Sequence, residues 1–433
     1  MLIRFAVSNF RSIRSEAEVS LTASATKELP DALVDLAPVV ARGVRVLAVY
    51  GANASGKTNL IRAMMFMSNA VANSHRIWSP SAAVPVEPFI LDSESRGRAS
   101  RFEVDLLLAG VRYTYGFELD SVQVVSEWLF AYPNGKRQRW FERSSDKGAN
   151  FWFGPNFSGE NKVIQSLTRP NSLFLSAAAQ NGHAQLLPLY EWFTTRWLFV
   201  NPSAREALVN TTAAMCSDPA RRRAVISMLA AADLGIVDVE VTEEELDERT
   251  KQALSSLIIA VQGPGTPVQE PPKSPSFGRV PRVSLKHETI ADGPLVSMRF
   301  EDESEGTRAL FSLAGPVIRA LDSGGTLCVD ELDASLHPLM ALSLVKVFNS
   351  SATNPKNAQL IFNTHDTHLL DPTLLRRDQI WFAEKDREGA THIYPLSDFQ
   401  PRRGENLERG YLQGRYGAVP FVRAADFIET LDG

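Results

Sequence analysis

The sequence has little of what marks a secreted protein, a membrane protein or a strongly basic one. Its two cysteines, Cys216 and Cys328, are too few for a disulfide framework, and neither belongs to a C-x-x-C pair of the kind that holds zinc. No apolar run reaches the roughly 18 residues that a membrane helix needs. Basic residues number 45 against 50 acidic ones, which gives a net charge of −5. A basic field over the whole protein is therefore excluded, whereas a local basic groove is not.

The rest of the composition is that of an ordinary globular chain. Hydrophobic residues make up 44% and charged residues 22% of the 433 positions, so a sizeable core can form. At about 150 residues per domain, the length predicts two to three domains. The first ten residues alternate and lack the small-residue cleavage site of a signal peptide. We expect a cytoplasmic protein without a membrane partner.

Residues 51–58, Gly-Ala-Asn-Ala-Ser-Gly-Lys-Thr, are the strongest signal because they fit the phosphate-binding pattern G-x-x-x-x-G-K-[ST]. A buried strand is predicted at residues 44–50 and a helix at residues 59–65, which is the context that this loop requires. Its glycines let the backbone wrap around phosphates while N–H groups and the helix N-terminus face the negative charge. We expect a chance match in about one chain in a hundred of this size.

The loop predicts a site for ATP and Mg²⁺. Lys57 would bring its charge to the β and γ phosphates, and Thr58 would place its hydroxyl on Mg²⁺. The residues predicted to contact the nucleotide here are Gly51, Asn53, Ser55, Gly56, Lys57, Thr58 and Asn59.

Residues 326–331, Thr-Leu-Cys-Val-Asp-Glu, predict an apolar strand that ends in two carboxylates. Neighbouring side chains on a strand diverge, so the two acids can serve different tasks. Asp330 would hold Mg²⁺, and Glu331 would polarise the attacking water. An acidic turn after a core strand is the plainer interpretation, but a phosphate-binding loop in the same chain favours the catalytic one.

A further strand is predicted at residues 359–363 and is followed by Thr364, His365 and Asp366. His365 could contact the γ-phosphate or the attacking water, although a lone histidine is more often structural. Strands that alternate with helices at both ends of the chain predict one parallel sheet assembled from distant halves of the sequence.

Between these halves the pattern changes. Hairpins are predicted at residues 102–117, with a turn at Ala109 and Gly110, and around residues 133–135. Residues 162–260, with an acidic stretch at 243–248, favour helices, and the proline- and glycine-rich residues 263–281 predict a linker. We therefore predict an N-terminal lobe at 1–160, a helical insertion at 161–282 and a C-terminal lobe at 283–433.

The order of these motifs resembles the ABC-like branch of AAA ATPases that includes the SMC, RecF and OLD groups. A closer resemblance is to compact bacterial ATPases of phage-defence and abortive-infection operons, such as the PARIS and Septu systems. The supporting segments are residues 7–13, 88–91, 232–236, 304–307 and 404–411. The resemblance implies an α/β P-loop NTPase head with a mixed sheet, an antiparallel β-subdomain and an inserted helical subdomain.

The resemblance also implies that two heads close over ATP, the P-loop of one facing the signature segment of the other. Ser304 and Gly306 would then complete the partner's site, and residues 333–335 would cross the interface. The segment Ser-Glu-Gly-Thr departs from the common Leu-Ser-Gly-Gly form of the signature. Without a partner head, a serine in such a segment is a helix cap.

Two differences from the larger relatives bear on function. The insertion lacks a heptad pattern sustained over three or four repeats, so the long coiled-coil arm of SMC-type proteins is not expected. OLD-type nucleases carry a metal-binding domain after the histidine segment, whereas this sequence ends 68 residues after His365, at position 433. We expect an ATP hydrolase that is not itself a nuclease.

Arginines cluster at several places, and most such clusters are solvated surface. Arg137, Arg139 and Arg143 lie in a predicted hairpin with Trp140 and Phe141, which makes this group the better candidate for a DNA contact.

The leading hypothesis is a Mg²⁺-dependent ATPase whose head dimerisation controls an effector, such as a nuclease or toxin encoded nearby, in anti-phage defence. One alternative is an ATP-binding scaffold that cages a toxin or nuclease with little turnover. Another is a DNA-repair ATPase of the SMC or RecF type.

Overall fold

The chain divides into two compact units. The computed structural model describes residues 1–37, 41–145, 150–201, 204–232, 235–245, 279–289, 293–334, 336–402 and 404–419. One unit comprises Met1–Pro202 and Arg319–Gly433, and the other comprises Ser203–Ile318. These limits differ from the predicted ones at 160 and 282, and most of the predicted linker, residues 263–278, lies outside the described residues. No described helix is long and apolar enough to cross a membrane.

A six-stranded sheet in the first unit carries the predicted motifs. Its strands, from edge to edge, are β11 (Trp197–Val200), β15 (Thr326–Val329), β16 (Gln359–Asn363), β5 (Val46–Tyr50), β17 (Ile380–Lys385) and β18 (Thr391–Pro395). All neighbours pair in parallel except β17 and β18. The sheet is thus assembled from both ends of the chain, as the sequence predicts.

The central strands of this sheet are buried along their whole length. Every residue of β5, β15 and β16 is buried, which is typical of parallel strands that are covered on both faces. Because the carboxyl ends of parallel strands meet at one edge, the residues that follow β5, β15 and β16 come together there. That edge is where the predicted site lies.

A seven-stranded antiparallel sheet is the second layer of this unit. Its strands, in spatial order, are β10 (Asn150–Phe153), β9 (Gln138–Ser144), β8 (Val124–Tyr132), β7 (Val111–Leu119), β6 (Ser100–Leu108), β1 (Leu2–Ser8) and β2 (Ala17–Ser20). Both predicted hairpins are confirmed, because β6 pairs with β7 and β8 pairs with β9. A short separate ladder joins β3 (Leu33–Asp35) and β4 (Arg42–Val44).

Helix α1 (Lys57–Asn73) packs between the two sheets. Met64 lies against Cys328 of the six-stranded sheet, and the ring of Phe66 packs at a tilt against that of Phe102 of the antiparallel sheet, with ring centroids 4.9 Å apart. Apolar residues recur every three to four positions along the helix, so one continuous core forms around it. The remaining helices of the unit are α2 (Ser93–Arg96), α3 (Asn161–Leu167), α4 (Phe174–Gln180), α5 (Leu187–Glu191), α9 (Pro338–Asn349) and α10 (Leu407–Leu412).

The second unit is not purely helical, which corrects the predicted helical insertion. It contains α6 (Arg205–Met215) and α7 (Pro219–Ala230), but also the antiparallel strands β12 (Ile236–Glu245), β13 (Arg279–His287) and β14 (Val296–Arg299). Helix α8 (Glu305–Ser323) begins in this unit and ends in the first.

The acidic residues 243–248 account for the wrong prediction of a helix in this part of the chain. Their described part, residues 243–245, belongs to β12, where β-branched residues alternate with polar ones and pair along the whole of β13. Pairing with a strand that is distant in sequence overrides the helix propensity of glutamate.

Candidate nucleotide site

The loop between β5 and α1 has the backbone that only glycine allows at two positions. Gly56 has φ +101°, and a Cβ there would lie 2.1 Å from Thr391 Oγ1. A Cβ on Gly51 would lie 2.3 Å from the carbonyl oxygen of Ala383. Both glycines therefore let the loop pass close to β17 and β18, as a phosphate-binding loop requires.

Two residues that the sequence did not single out support this loop from behind. Thr391 Oγ1 donates a hydrogen bond of 2.9 Å to the carbonyl oxygen of Ser55, and Thr391 N–H donates to the carbonyl of Ser12 at 2.7 Å. The Asn59 side-chain nitrogen donates to Ser12 Oγ at 2.7 Å, so this amide is used within the protein. Ser12 lies 379 positions from Thr391, and no local pattern indicates that they meet.

Ser55 offers an unused polar atom inside the loop. Its side chain is 3% exposed, and its Oγ has no hydrogen-bond partner among the described residues. Asn53 stands at the exposed tip of the same loop. A buried hydroxyl without a partner needs an acceptor or donor to offset its desolvation, and an oxygen of a bound phosphate would meet that need.

Lys57 lies folded over the loop. Its ammonium donates to the carbonyl oxygens of Gly51 and Ala52 at 2.8 and 2.9 Å. Burial lowers the Lys57 pKa from 10.5 to about 8, although the carboxylates of Asp333, Glu331 and Asp330 act in the opposite direction. The lysine and the carboxylates predicted with it therefore lie within electrostatic reach of one another.

Thr58 and Asp330 join the two halves of the sequence. Thr58 Oγ1 donates to Asp330 Oδ1 at 2.9 Å across 272 positions. Asn363 Nδ2 donates to the same carboxylate oxygen at 2.6 Å. Asn363 is fully buried at the end of β16, and in the parallel register it follows the pair Val329 and Phe362. A polar residue after the apolar residues 360–362 is a sequence signal for Asn363, but the strand register that places it beside Asp330 is not a local feature of the sequence.

Glu331 leaves the sheet in an unusual conformation. Its φ is +59°, a left-handed value that few residues other than glycine adopt. Its backbone N–H donates to Asn363 Oδ1, so the same buried amide holds both acids. The Glu331 side chain is exposed. Backbone strain of this kind, of order 1–3 kcal/mol, is often found at functional sites.

His365 lies on the turn that follows β16. Its backbone N–H lies 3.3 Å from both carboxylate oxygens of Asp333, and its side chain is exposed. Burial of part of the ring and the charge of Lys57 lower the His365 pKa below its usual value, while Asp333 and Glu331 oppose the change. Burial and the Lys57 charge both favour the neutral imidazole, in which one ring nitrogen can accept a proton.

The signature residues Ser304 and Gly306 belong to the second unit. Ser304 Oγ accepts a hydrogen bond of 3.1 Å from the N–H of Thr307, so Ser304 caps helix α8. Ser304 is exposed and Gly306 is half-buried in the first helical turn. Asp333 and Ala334 of the predicted interface segment are described, whereas Ser335 lies outside the described residues.

The arginine hairpin is only partly available to a ligand. Arg143 is 5% exposed and donates to the carbonyl oxygen of Ser172 at 2.6 Å. Arg139 is exposed, but it pairs with Glu142 at 2.7 Å and lies over Trp152. Arg137 is exposed and lies over the ring of Phe130. Arg137 and Arg139 thus face solvent, whereas Arg143 is buried and is hydrogen-bonded within the interior of the fold.

Comparison with known proteins gives a family match over most of the chain. Residues 46–371 match the family described as "AAA domain, putative AbiEii toxin, Type IV TA system". This range contains the P-loop, both carboxylates, Ser304 and His365. No curated protein matches the sequence.

Three solved structures are similar over most of their length. An SMC head bound to the C-winged helix domain of ScpA is 14% identical, with a TM-score of 0.43 and coverage of 91% of this chain and 97% of that one. The SMC head of Thermotoga maritima is 14% identical, with a TM-score of 0.40 and coverage of 91% and 98%. A Pyrococcus furiosus Smc head with an extended coiled coil, bound to the C-terminal domain of ScpA, is 13% identical, with a TM-score of 0.33 and coverage of 91% and 96%.

Proposed function

This chain belongs to the AAA family that its residues 46–371 match, and from that premise we propose that it is a Mg²⁺-dependent ATP hydrolase. One observation carries the proposal: the hydroxyl of Thr58 meets the carboxylate of Asp330 at 2.9 Å. The P-loop and the strand-end acids, which are far apart in sequence, therefore form one site. Lys57 and Ser55 complete the cradle for the phosphates.

The donor set at this point fits Mg²⁺. A threonine hydroxyl and an aspartate carboxylate are hard oxygen ligands, and Mg²⁺ is usually held by one or two such groups together with phosphates and water. We assign Thr58 and Asp330 to the ion. When bound, Mg²⁺ neutralises charge on the phosphate oxygens. Asn363 keeps the Asp330 carboxylate oriented through its 2.6 Å hydrogen bond.

We assign the remaining steps to two exposed side chains. Glu331 would accept a proton from the attacking water, and its carboxylate is free to do so because its backbone alone is fixed by Asn363. His365, whose neutral form is favoured because its pKa is lowered, would accept a hydrogen bond from the water or donate one to the γ-phosphate. Both side chains face solvent in the single chain, which supports closure by a second copy.

We propose that two copies close over ATP, with Ser304 and Gly306 of one reaching the phosphate of the other. An exposed serine at the N-terminus of a 19-residue helix presents N–H groups and a hydroxyl to an anion, which supports this role. ATP would then stabilise the dimer because its γ-phosphate touches both copies.

We propose further that this dimer controls an effector, a toxin or nuclease, in bacterial defence. The family description, which names the AbiEii toxin and a type IV toxin–antitoxin system, supports such a setting. Hydrolysis would reopen the dimer and release or silence the partner. A scaffold that binds ATP without turnover is the alternative that the following experiment separates.

The experiment compares the wild type with Glu331→Gln. We expect the variant to bind ATP as the wild type does, to release phosphate about a hundredfold more slowly, and to accumulate as a dimer in light scattering. Glu384→Gln is the control, because that carboxylate pairs with the Tyr394 hydroxyl. Equal turnover in Glu331→Gln and the wild type would contradict the mechanism. No turnover in the wild type would favour the scaffold.

A further inference from the structure

Tyr50 is the last residue of β5 and directly precedes the P-loop. It is fully buried, and its ring packs near those of Phe382 and Tyr411, with centroids 6.4 and 6.1 Å away. Its hydroxyl has no hydrogen-bond partner among the described residues. A buried hydroxyl in that state costs stability, so it calls for a physical explanation.

Asp366, the residue after His365, also has a buried oxygen without a hydrogen-bond partner among the described residues. Its Oδ1 accepts a hydrogen bond of 3.0 Å from the N–H of His368 and lies 2.8 Å from His368 Nδ1. Its Oδ2 is buried and has no partner among the described residues. One oxygen thus holds the turn, while the other has an unused acceptor capacity in the interior.

The strand register brings the two segments side by side, because Asn363 of β16 pairs with Val49 of β5 and the N–H of Thr364 donates to the carbonyl oxygen of Val49 at 3.2 Å. Burial raises the pKa of Tyr50 well above its usual value of 10, and the charges that add to this are the carboxylates of Asp366 first and Asp333 next. A donor without an acceptor therefore lies near an acceptor without a donor. A direct contact, or one buried water between them, would satisfy both.

We propose that Tyr50 is a positioning residue for the turn that carries His365, and that its hydroxyl donates a hydrogen bond to Asp366 Oδ2, directly or through one water. The role of His365 rests on the proposed ATPase function, whereas the hydrogen bond does not. The turn is then held on two sides, since the carboxylate of Asp333 already accepts from the backbone of His365. Tyr50 links the P-loop strand to the histidine that faces the same phosphate.

Tyr50→Phe removes the hydroxyl and keeps the ring. Tyr411→Phe is a matched control, because Tyr411 belongs to the same aromatic group but donates its hydroxyl to the carbonyl oxygen of Ala418 at 3.1 Å. We expect Tyr50→Phe to lower kcat about tenfold while KM for ATP stays within about twofold. Tyr411→Phe should leave kcat unchanged. A change in KM together with a lower Tm would indicate packing only and would overturn the proposal.

Asp366→Ala provides the second test. If Tyr50 acts on the turn through its hydrogen bond to Asp366, adding Tyr50→Phe to Asp366→Ala should cause no further loss of kcat. A full additional loss would overturn the proposal, as would a kcat of Tyr50→Phe equal to that of Tyr411→Phe.

Amide hydrogen exchange tests the contact without relying on hydrolysis. Amides of residues 364–368 should exchange about tenfold faster in Tyr50→Phe than in the wild type or Tyr411→Phe. Equal exchange in all three proteins would overturn the proposal. A wild type that releases no phosphate but shows this difference would refute the ATPase assignment and leave the positioning role supported.

Discussion

Two regions of the protein differ in how many of their proposed functional groups are already held in place within one chain. The first is the edge of the six-stranded sheet at which β5, β15 and β16 end, here called the P-loop edge, and the second is the signature segment, residues 304–307. At the P-loop edge, Thr58 meets Asp330, Lys57 lies over the loop, and Asn363 holds both strand-end acids. At the signature segment, Ser304 makes a local contact with Thr307 that caps its own helix. One site is preassembled from distant residues, and the other is a helix start with exposed groups.

This difference separates binding from turnover. A preassembled cradle can bind nucleotide in a single copy, because its polar groups are already placed. In the proposed mechanism, the exposed side chains of Ser304, Glu331 and His365 act on the same nucleotide only when another copy covers them. Substitution of Lys57 in the phosphate-binding loop should therefore lower ATP affinity, whereas substitution of Ser304 in the signature segment should lower turnover and dimer formation with little change in the ATP affinity of the single chain.

Lys57→Ala should give the largest effect. The variant removes the charge that the loop directs at the β and γ phosphates, so ATP affinity should fall at least about a hundredfold in calorimetric titration. Lys385→Ala, at an exposed lysine at the end of β17, is the control and should bind as the wild type does. If Lys57→Ala bound ATP within a few-fold of the wild-type affinity, the proposed role of the P-loop edge in nucleotide binding would be contradicted.

Asn363→Ala should reduce both rate and stability. Its amide is fully buried and holds Asp330 and the backbone of Glu331, so we expect kcat to fall about tenfold and unfolding free energy to drop by about 2 kcal/mol. Asn354→Ala is the matched control, since Asn354 is equally buried but its side chain bonds to the carbonyls of Phe348 and Ala358 and to the N–H of Ala358, away from the two acids. It should lose stability and keep kcat; a similar rate loss in both would mean a general effect of destabilisation.

ATP affinity should depend on pH through Lys57. Its pKa in the free protein is lowered to about 8 by burial, and bound phosphate favours the charged form. Affinity should thus be highest below pH 8 and fall by up to about tenfold per unit as the pH rises above 8, until it reaches the higher pKa that Lys57 has in the ATP complex. Titrations at pH 7, 8 and 9 measure this. Lys57→Arg, which stays charged, should show a flat profile; an equal slope in both proteins would place the titrating group elsewhere.

Ser304→Ala should give the smallest effect on the single chain. Loss of the cap should lower unfolding free energy by about 1 kcal/mol and leave ATP affinity of the monomer within about twofold. Turnover should nevertheless fall, because the hydroxyl is missing from the partner's site. Phosphate release and dimer formation are measured together, with Ser343→Ala as a control at an exposed helical serine. Full turnover in Ser304→Ala would remove the signature segment from the mechanism.

Much of the P-loop edge could be predicted from sequence because its parts are strand ends. Apolar runs at residues 46–50 and 326–329 indicate buried parallel strands, and the residues after them must meet at one edge. Asn363 needed the register of β16 against β15, which no local pattern provides. Ser12 and Thr391 behind the loop join segments that touch only in the folded chain.

The second unit was harder to predict for a related reason. Strand β12 pairs with β13 across residues 246–278, and its glutamates favour a helix when read alone. Local propensity therefore indicated the wrong element where distant pairing decides the structure. Ser304 was recognised as both a signature residue and a helix cap, and the cap is the role that the single chain displays.

Phosphate release by Asp330→Cys in different metal ions tests most directly whether Thr58 and Asp330 hold the ion of the ATP complex. A thiolate is a poor ligand for Mg²⁺ and a good one for softer ions. The variant should be inactive in Mg²⁺ and regain turnover in Mn²⁺ or Cd²⁺, while the control Asp333→Cys shows no such change of preference. Full activity of folded Asp330→Cys in Mg²⁺, or none in any of these ions, would contradict the account.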